Sequence, residues 1–234
     1  METDASVNCV QWAPWEYGNL ILAAGSADGK IHILSRDQND QWVHKSFVGH
    51  DGGINGLSWG PSTEPCLLLA ENNDIMNPAV NEKALALVAK RFVTGGMDGK
   101  IKIWQEKTEN SLEFSETQLQ GGQAVEGDNW IRDVAWSNNI GSANDLIAAV
   151  DENKRLRVFV CENNQNKQWV LQDEKLFKFP VWKCSWSPVG YMLAISCGNN
   201  ETKVFRQDKK SLTWEQVSEI AEDGQMKEQD EPHN

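Results

Sequence analysis

Four segments of the chain end on tryptophan in the same way: SVNCVQW (6–12), GINGLSW (53–59), WIRDVAW (130–136) and PVWKCSW (180–186). Each carries an apolar or small residue two positions before the Trp and Val or Ile five before it. The resulting sets are Val7/Val10/Trp12, Ile54/Leu57/Trp59, Ile131/Val134/Trp136 and Val181/Cys184/Trp186. Alternation over the last three positions marks a strand with one buried face, because successive side chains point to opposite sides. A tryptophan reused at equivalent places also explains the count of 11 Trp against 2 Tyr in 234 residues. Internal repetition limits the possible folds more than any other feature.

The rest of each repeat reads as three further strands. A second run follows the Trp: NLILAAGS (19–26), RFVTGG (91–96), DLIAAV (145–150) and YMLAISCG (191–198). A polar turn comes next, built on Asp28-Gly29, Asp98-Gly99, Glu152-Asn153 and Asn199-Asn200, residues that tolerate positive φ and so favour tight hairpins. The third strands are KIHIL (30–34), KIKIW (100–104), RLRVFV (155–160) and TKVF (202–205). The fourth are QWVHKSF (41–47), SLEFSETQL (111–119), QWVLQDE (168–174) and TWEQVSE (213–219), with Trp42, Trp169 and Trp214 equivalent and Phe114 replacing them in the second unit.

Four four-stranded antiparallel units of this length are blades, and blades pack radially into a β-propeller. The expectation is an all-β fold over 1–220, with blades at about 6–48, 49–119, 129–176 and 180–220. The Trp-ending strands are expected innermost, with Trp12, Trp59, Trp136 and Trp186 as the repeated core. Trp-to-Trp intervals of 47, 77 and 50 residues place an insertion in the second unit at 60–90, where ALALVAK could form a helical turn. A smaller insertion falls near 120–129, and the charged, apolar-poor stretch 221–234 reads as a disordered acidic tail.

Composition removes several classes of function. Lys+Arg 22 against Asp+Glu 34 gives a net charge of −12, which opposes direct binding to nucleic acid or anionic lipid. Five cysteines without close pairing (Cys9, Cys66, Cys161, Cys184, Cys197) read as small reduced hydrophobes, not as a disulfide frame or zinc site. METDASVN lacks the basic and apolar regions of a signal peptide, so the chain is expected on the cytosolic or nuclear side.

No catalytic, cofactor or metal constellation stands out. The four His (His32, His44, His50, His233) fall on different strands, a loop and the tail, where solvated surface roles are expected for all but His50. Lys30 and Lys100 follow Asp-Gly without the glycine frame of a phosphate loop. Asp28 and Asp98 are explained by turn chemistry. Trp15 and Trp130 lie outside the repeated Trp positions and are candidates for surface contact or, equally, for extra core packing.

These residues resemble the WD repeat. The second unit is the clearest copy, with Gly49-His50, Trp59-Gly60-Pro61 and FVTGGMDGKIKIW (92–104). The resemblance implies that His50, Thr94, Asp98 and Trp104 form the family's buried hydrogen-bonded tetrad. Other units depart from it: Leu34, Phe159 and Phe205 stand at the position of Trp104, and Asn153 and Asn199 at that of Asp98.

A narrower resemblance is carried by SVNCVQWAPWEYGNLILAAGSADGKI (6–31), RFVTGGMDGKIKIW (91–104), NWIRDVAWS (129–137) and VWKCSWSPVGYMLAISCGNN (181–200). Together they are similar to the SEC-thirteen proteins, small propellers of the coat protein complex II outer cage and of the nuclear pore's Y-shaped complex. The resemblance implies a non-enzymatic scaffold without cofactor. It would rigidify a large α-solenoid partner that donates a blade in trans, in export from the endoplasmic reticulum or in the pore scaffold, and also in a nutrient-signalling complex. It implies localisation at the cytoplasmic side of the endoplasmic reticulum and at the nuclear envelope, with membrane association only through partners. Family members have six blades and this sequence matches the last four, so two earlier blades or another closing element are expected outside it. Val181, Trp182, Cys184 and Trp186, on the last blade, are the expected interface for the donated one. The alternative is a general WD-repeat adaptor that binds peptides on the propeller's top face.

Overall fold

The computed structural model describes residues 4–18, 20–37, 39–61, 90–108, 111–117, 129–138, 144–162, 168–208, 212–220 and 226–228. The insertion at 60–90, with its expected helical turn, lies almost wholly outside the described residues, as do 118–128 and most of 221–234.

The alternating runs form four antiparallel sheets in chain order. The first contains β1 (Val7–Trp12), β2 (Ile21–Ser26), β3 (Lys30–Arg36) and β4 (Trp42–Val48). The second contains β5 (Ile54–Trp59), β6 (Arg91–Gly96), β7 (Ile101–Glu106) and β8 (Phe114–Thr117). The third contains β9 (Ile131–Trp136), β10 (Asn144–Asp151), β11 (Arg155–Glu162) and β12 (Trp169–Leu176). The fourth contains β13 (Val181–Trp186), β14 (Met192–Cys197), β15 (Thr202–Gln207), β16 (Trp214–Ile220) and a fifth strand, β17 (Met226–Glu228).

That fifth strand corrects the expectation for the tail. Residues 226–228 pair antiparallel with Ser218–Ile220, because the outer edge of β16 offers unpaired backbone groups that even a polar segment satisfies. In the turns, Gly29 and Gly99 take φ of 80° and 73°, where glycine avoids the Cβ clash. Lys154 and Asn200 occupy the corresponding region in the third and fourth sheets, at 65° and 63°.

Apolar burial lies between sheets. One cluster joins Ile21, Ala23, Ile31 and Ile33 of the first blade to Ile54, Leu57, Trp59 and Phe92 of the second. Another joins Val93, Ile101 and Ile103 to Ile131, Val134 and Trp136, and a third joins Ala148, Val150 and Val158 to Val181, Cys184, Leu193 and Trp214. In each, the Trp-bearing face of one blade packs against the opposite face of the blade before it. That opposite face is kept small or flat where it must be: a Cβ on Gly56 would lie 2.7 Å from the Val134 backbone nitrogen, and one on Gly95 2.4 Å from Ile131 Cγ2. The inner strands line a channel where Val7, Cys9, Leu57, Asp133 and Lys183 bound a cavity of about 400 Å³.

Candidate interaction surfaces

Related contacts recur at the three interfaces, and two of them share an indole hydrogen bond. The Trp59 indole Nε1 donates to the Gln11 carbonyl at 3.1 Å, and the Trp186 Nε1 donates to the Ala135 carbonyl at 3.0 Å. In both, the acceptor is the residue just before the preceding blade's own Trp. The Trp136 indole N–H is buried without a hydrogen-bond partner, and its ring instead lies under the Arg91 guanidinium, 5.3 Å from the centroid. Backbone N–H groups are matched as well. Trp59 N donates to Gln11 Oε1 at 2.8 Å, Trp136 N to Ser58 Oγ at 2.9 Å and Cys184 N to Asp133 Oδ2 at 3.1 Å. Burial raises the Asp133 carboxyl, against the Cys184 N–H and the Lys183 ammonium, which lower it.

Within the second blade the four tetrad residues meet. Trp104 Nε1 donates to Thr94 Oγ1 at 2.8 Å, Thr94 Oγ1 lies 2.7 Å from His50 Nε2, and His50 Nδ1 lies 2.8 Å from Asp98 Oδ1. An indole nitrogen can only donate, so one proton order satisfies the chain: Trp104 to Thr94, Thr94 to His50 Nε2, and His50 Nδ1–H to Asp98. Asp98 also accepts from Lys100 N and Asp51 N, at 3.1 and 3.2 Å. Burial pushes the Asp98 carboxyl up, but the hydrogen bonds from His50 and these two N–H groups outweigh it and hold it below its ordinary value. The network ties the loop between the first two blades to β6, β7 and the turn that joins them. Its role is structural, since every member spends its polar atoms on the others and on the neighbouring backbone.

The four repeated tryptophans are not equivalent, which corrects the uniform core expected from the repeat. Trp59 and Trp136 are 3% and 5% exposed and Trp186 is half-buried, whereas Trp12 is 52% exposed. The outer-strand aromatics divide the same way: Phe114, Trp169 and Trp214 are buried and Trp42 is exposed. Trp12 is uncovered because it lies on the Trp-bearing face of the first blade, and no described sheet packs there. Val7 and Val10 are exposed beside it, so the first blade presents bare the face that the other three bury.

At the other end, the expected partner-blade set also needs correction. Val181 is fully buried, Cys184 nearly so, and Trp186 bonds to Ala135; all three face inward onto the third blade. Burial drives the Cys184 thiol well above its ordinary value, as befits a packing residue. Only Trp182 of the four is substantially exposed, at 43%, stacked 4.7 Å from the Arg132 guanidinium. The uncovered face of the fourth blade is formed by alternate residues of the opposite phase, among them Ser185, Met192, Ala194 and Val204. A bulge between Val181 and Lys183 shifts the phase of β13, and sequence alternation alone does not reveal it.

Several other positions differ from or extend the sequence reading. His32 is buried, not solvated: its Nδ1 lies 3.1 Å from His44 Nε2, and its Nε2 lies 3.3 Å from Ser26 Oγ. Trp15 is almost fully exposed, and Trp130 stacks beside Arg132. Tyr17, unnoticed in the sequence, donates its buried hydroxyl to the Gly60 carbonyl at 2.8 Å and ties the first blade to the second. Among the described residues, no group of three His, Cys, Asp or Glu is placed to hold a metal ion.

Sheets of this topology, packed Trp face to small face and carrying the His50 tetrad, define a WD-repeat β-propeller whose first-blade and fourth-blade flanks are uncovered among the described residues. The family model described as "WD domain, G-beta repeat" matches residues 87–105. The chain is 37% identical over 218 residues to "Protein transport protein sec13" of Aspergillus clavatus, covering 93% of this chain and 67% of the relative. It is 36% identical to the sec13 of Emericella nidulans, covering 93% and 64%, and 30% identical to SEC13 of Mycosarcoma maydis, covering 92% and 61%. The chain belongs to the Sec13 family of WD-repeat proteins. It spans 61–67% of the length of these relatives.

Proposed function

We propose that the protein is a non-enzymatic scaffold in protein transport, a rigid propeller segment that fixes the geometry of an elongated α-solenoid partner. The observation that carries this is the 37% identity, over 93% of the chain, to relatives named protein transport proteins. The open flank of the fourth blade supports a partner that adds strands in trans. A bare sheet face with small residues such as Ser185 and Ala194 suits the packing of a further sheet against it, with shape and alternate side chains supplying specificity. The assembly is a membrane coat at the endoplasmic reticulum or the nuclear pore scaffold, which puts the protein at the cytoplasmic face of that membrane or at the nuclear envelope. Membrane contact would be indirect, since a net charge of −12 repels anionic lipid.

The test is affinity capture from the native cell, followed by identification of bound chains and replacement of a flank residue. Wild-type protein is expected to retain large α-solenoid proteins of a coat or pore, and Ala194→Glu to release them. Retention of unrelated peptides or receptors through the top face, unaffected by Ala194→Glu, would support the adaptor reading and overturn this one.

A further inference from the structure

Where the β10–β11 turn meets the linker from β12 to β13, aromatic and cationic side chains gather at one end of the third and fourth blades. The Arg132 guanidinium stands 4.7 Å from the Trp182 ring centroid and 5.9 Å from that of Trp130. Its Nε and Nη2 both bond Glu152 Oε2, and its Nη1 has no hydrogen-bond partner among the described residues. The two indoles nevertheless stay 41% and 43% exposed, as does Phe179 of the linker at 39%. Backbone bonds fix the parts: Glu152 N donates to the Trp130 carbonyl, Phe177 N to that of Lys154 and Gly198 N to that of Pro180, at 2.9, 2.9 and 2.7 Å. Lys154 and Lys178 flank the second of these bonds, both exposed and without an ion-pair partner among the described residues. The Lys178 ammonium lies 5.5 Å over the Phe179 ring.

Part of this cluster is a lock between blades. At the strand position of Arg132, Asn8 and Asn55 donate Nδ2 to the next blade's Ile54 and Ile131 carbonyls at 3.1 and 2.8 Å, and Arg132 replaces that bond by stacking on Trp182. The lock requires neither Trp130 nor the two lysines. A cation already occupies the indole faces, so the site does not suit a cationic ligand. Arg132, Lys154 and Lys178 are instead grouped with the single carboxylate of Glu152, a local positive excess on a chain of net charge −12. At physiological salt charges are screened over about 8 Å, so these cations, not the distant net charge, govern a group that touches them. Three cations are too few to track a phosphate backbone, whereas exposed Trp beside Arg is the composition of a protein-binding anchor. We propose that the Trp130/Arg132/Trp182 cluster, with Lys154 and Lys178, binds an acidic peptide segment of a partner protein. Apolar side chains of that segment cover the indoles, and its carboxylates pair with Arg132 Nη1 and the two ammonium groups. The site is built wholly from the third and fourth blades and lies apart from the flank that carries Ala194, so either surface can fail without the other.

The probe is a fluorescein-labelled synthetic peptide that alternates Asp or Glu with Leu, titrated with the full chain and read by fluorescence anisotropy. A matched peptide with Asn and Gln in place of the acids is the control. The acidic peptide is expected to bind and the control not, and raising salt from about 50 to about 300 mM is expected to weaken binding severalfold. Trp130→Ala is expected to weaken it about fivefold to thirtyfold, as loss of an exposed aromatic anchor does, and Lys178→Glu by at least about threefold. Trp15→Ala, an equally exposed Trp in the β1–β2 loop at the opposite end of the strands, and Ala194→Glu, on the fourth-blade flank, are expected to leave it unchanged. These substitutions alter surface side chains, and unchanged circular dichroism shows that the variants fold. Absence of binding overturns the proposal, as does equal binding of the Asn/Gln peptide or binding that survives both Trp130→Ala and Lys178→Glu. Tighter binding of an oligothymidine single strand, lost in Trp130→Ala, would assign the cluster to nucleic acid and overturn it equally.

Discussion

Replacing Thr94 by valine changes the shape of the second blade very little and its hydrogen bonding severely. Thr94 is fully buried, and Trp104 and His50 are 5% and 2% exposed, so water cannot replace the lost hydroxyl. That hydroxyl accepts from Trp104 Nε1 and bonds His50 Nε2, so its removal leaves two buried polar groups without partners. Each orphaned group costs about 1–3 kcal/mol, which sets the expected loss for Thr94→Val at about 2–6 kcal/mol. Thr94→Ser removes a methyl and keeps the hydroxyl, for a loss of about 1 kcal/mol. Apolar burial alone predicts the reverse order, since valine is the better core residue. Urea unfolding followed by tryptophan fluorescence reads the difference, and at this chain length each kcal/mol also moves the Tm by about 2–4 °C. If Thr94→Val unfolds within about 0.5 kcal/mol of wild type, or is more stable than Thr94→Ser, the tetrad is not a coupled network and the reasoning fails.

The two ends of the Trp repeat are expected to respond differently to truncation. Trp59→Ala should lose about 3–5 kcal/mol from a buried site, and Trp12→Ala less than about 1 kcal/mol from a half-exposed one, both measured by urea midpoints. Gly56→Ala should cost about 1–3 kcal/mol or more in the same assay, because its Cβ would meet the β9 backbone, which cannot turn aside as a side chain can. Asp98 is held below its ordinary 3.8 in the folded state, so its stabilisation is complete above that value and disappears as pH falls through the folded value. The gap in stability between wild type and Asp98→Asn should therefore narrow below about pH 4 in a pH series of unfolding curves. Asp133 behaves oppositely. Burial raises its carboxyl, so ionisation costs stability as pH rises, and Asp133→Asn should be more stable than wild type at pH 7 with the difference vanishing below about pH 4.

The strands were legible because their signals are local. Period-2 alternation ending on Trp defined β5, β9 and β13 within a residue or so, and Asp98-Gly99 marked a turn because glycine alone accepts positive φ there without cost. The tetrad members were legible through resemblance, as His50, Thr94, Asp98 and Trp104 are far apart in sequence and nothing local links them. Less could be read at the interfaces. Gln11 and Asp133 cap backbone N–H groups of the next blade, yet each reads as an ordinary polar residue on an alternating strand. The bulge after Val181 and the pairing of 226–228 onto β16 depend on neighbouring backbone, which period and composition do not encode.

By itself the sequence determined that there are four sheets, which residues alternate on each face and which face carries the tryptophans, because pleating and turn preference act within a few residues. Tertiary structure decided which of those faces are covered. Trp12 and Trp59 occupy the same position in the same local pattern, and one lies in solvent while the other is buried. Burial belongs to the contact between two sheets, and the first blade's Trp face has no neighbouring sheet among the described residues.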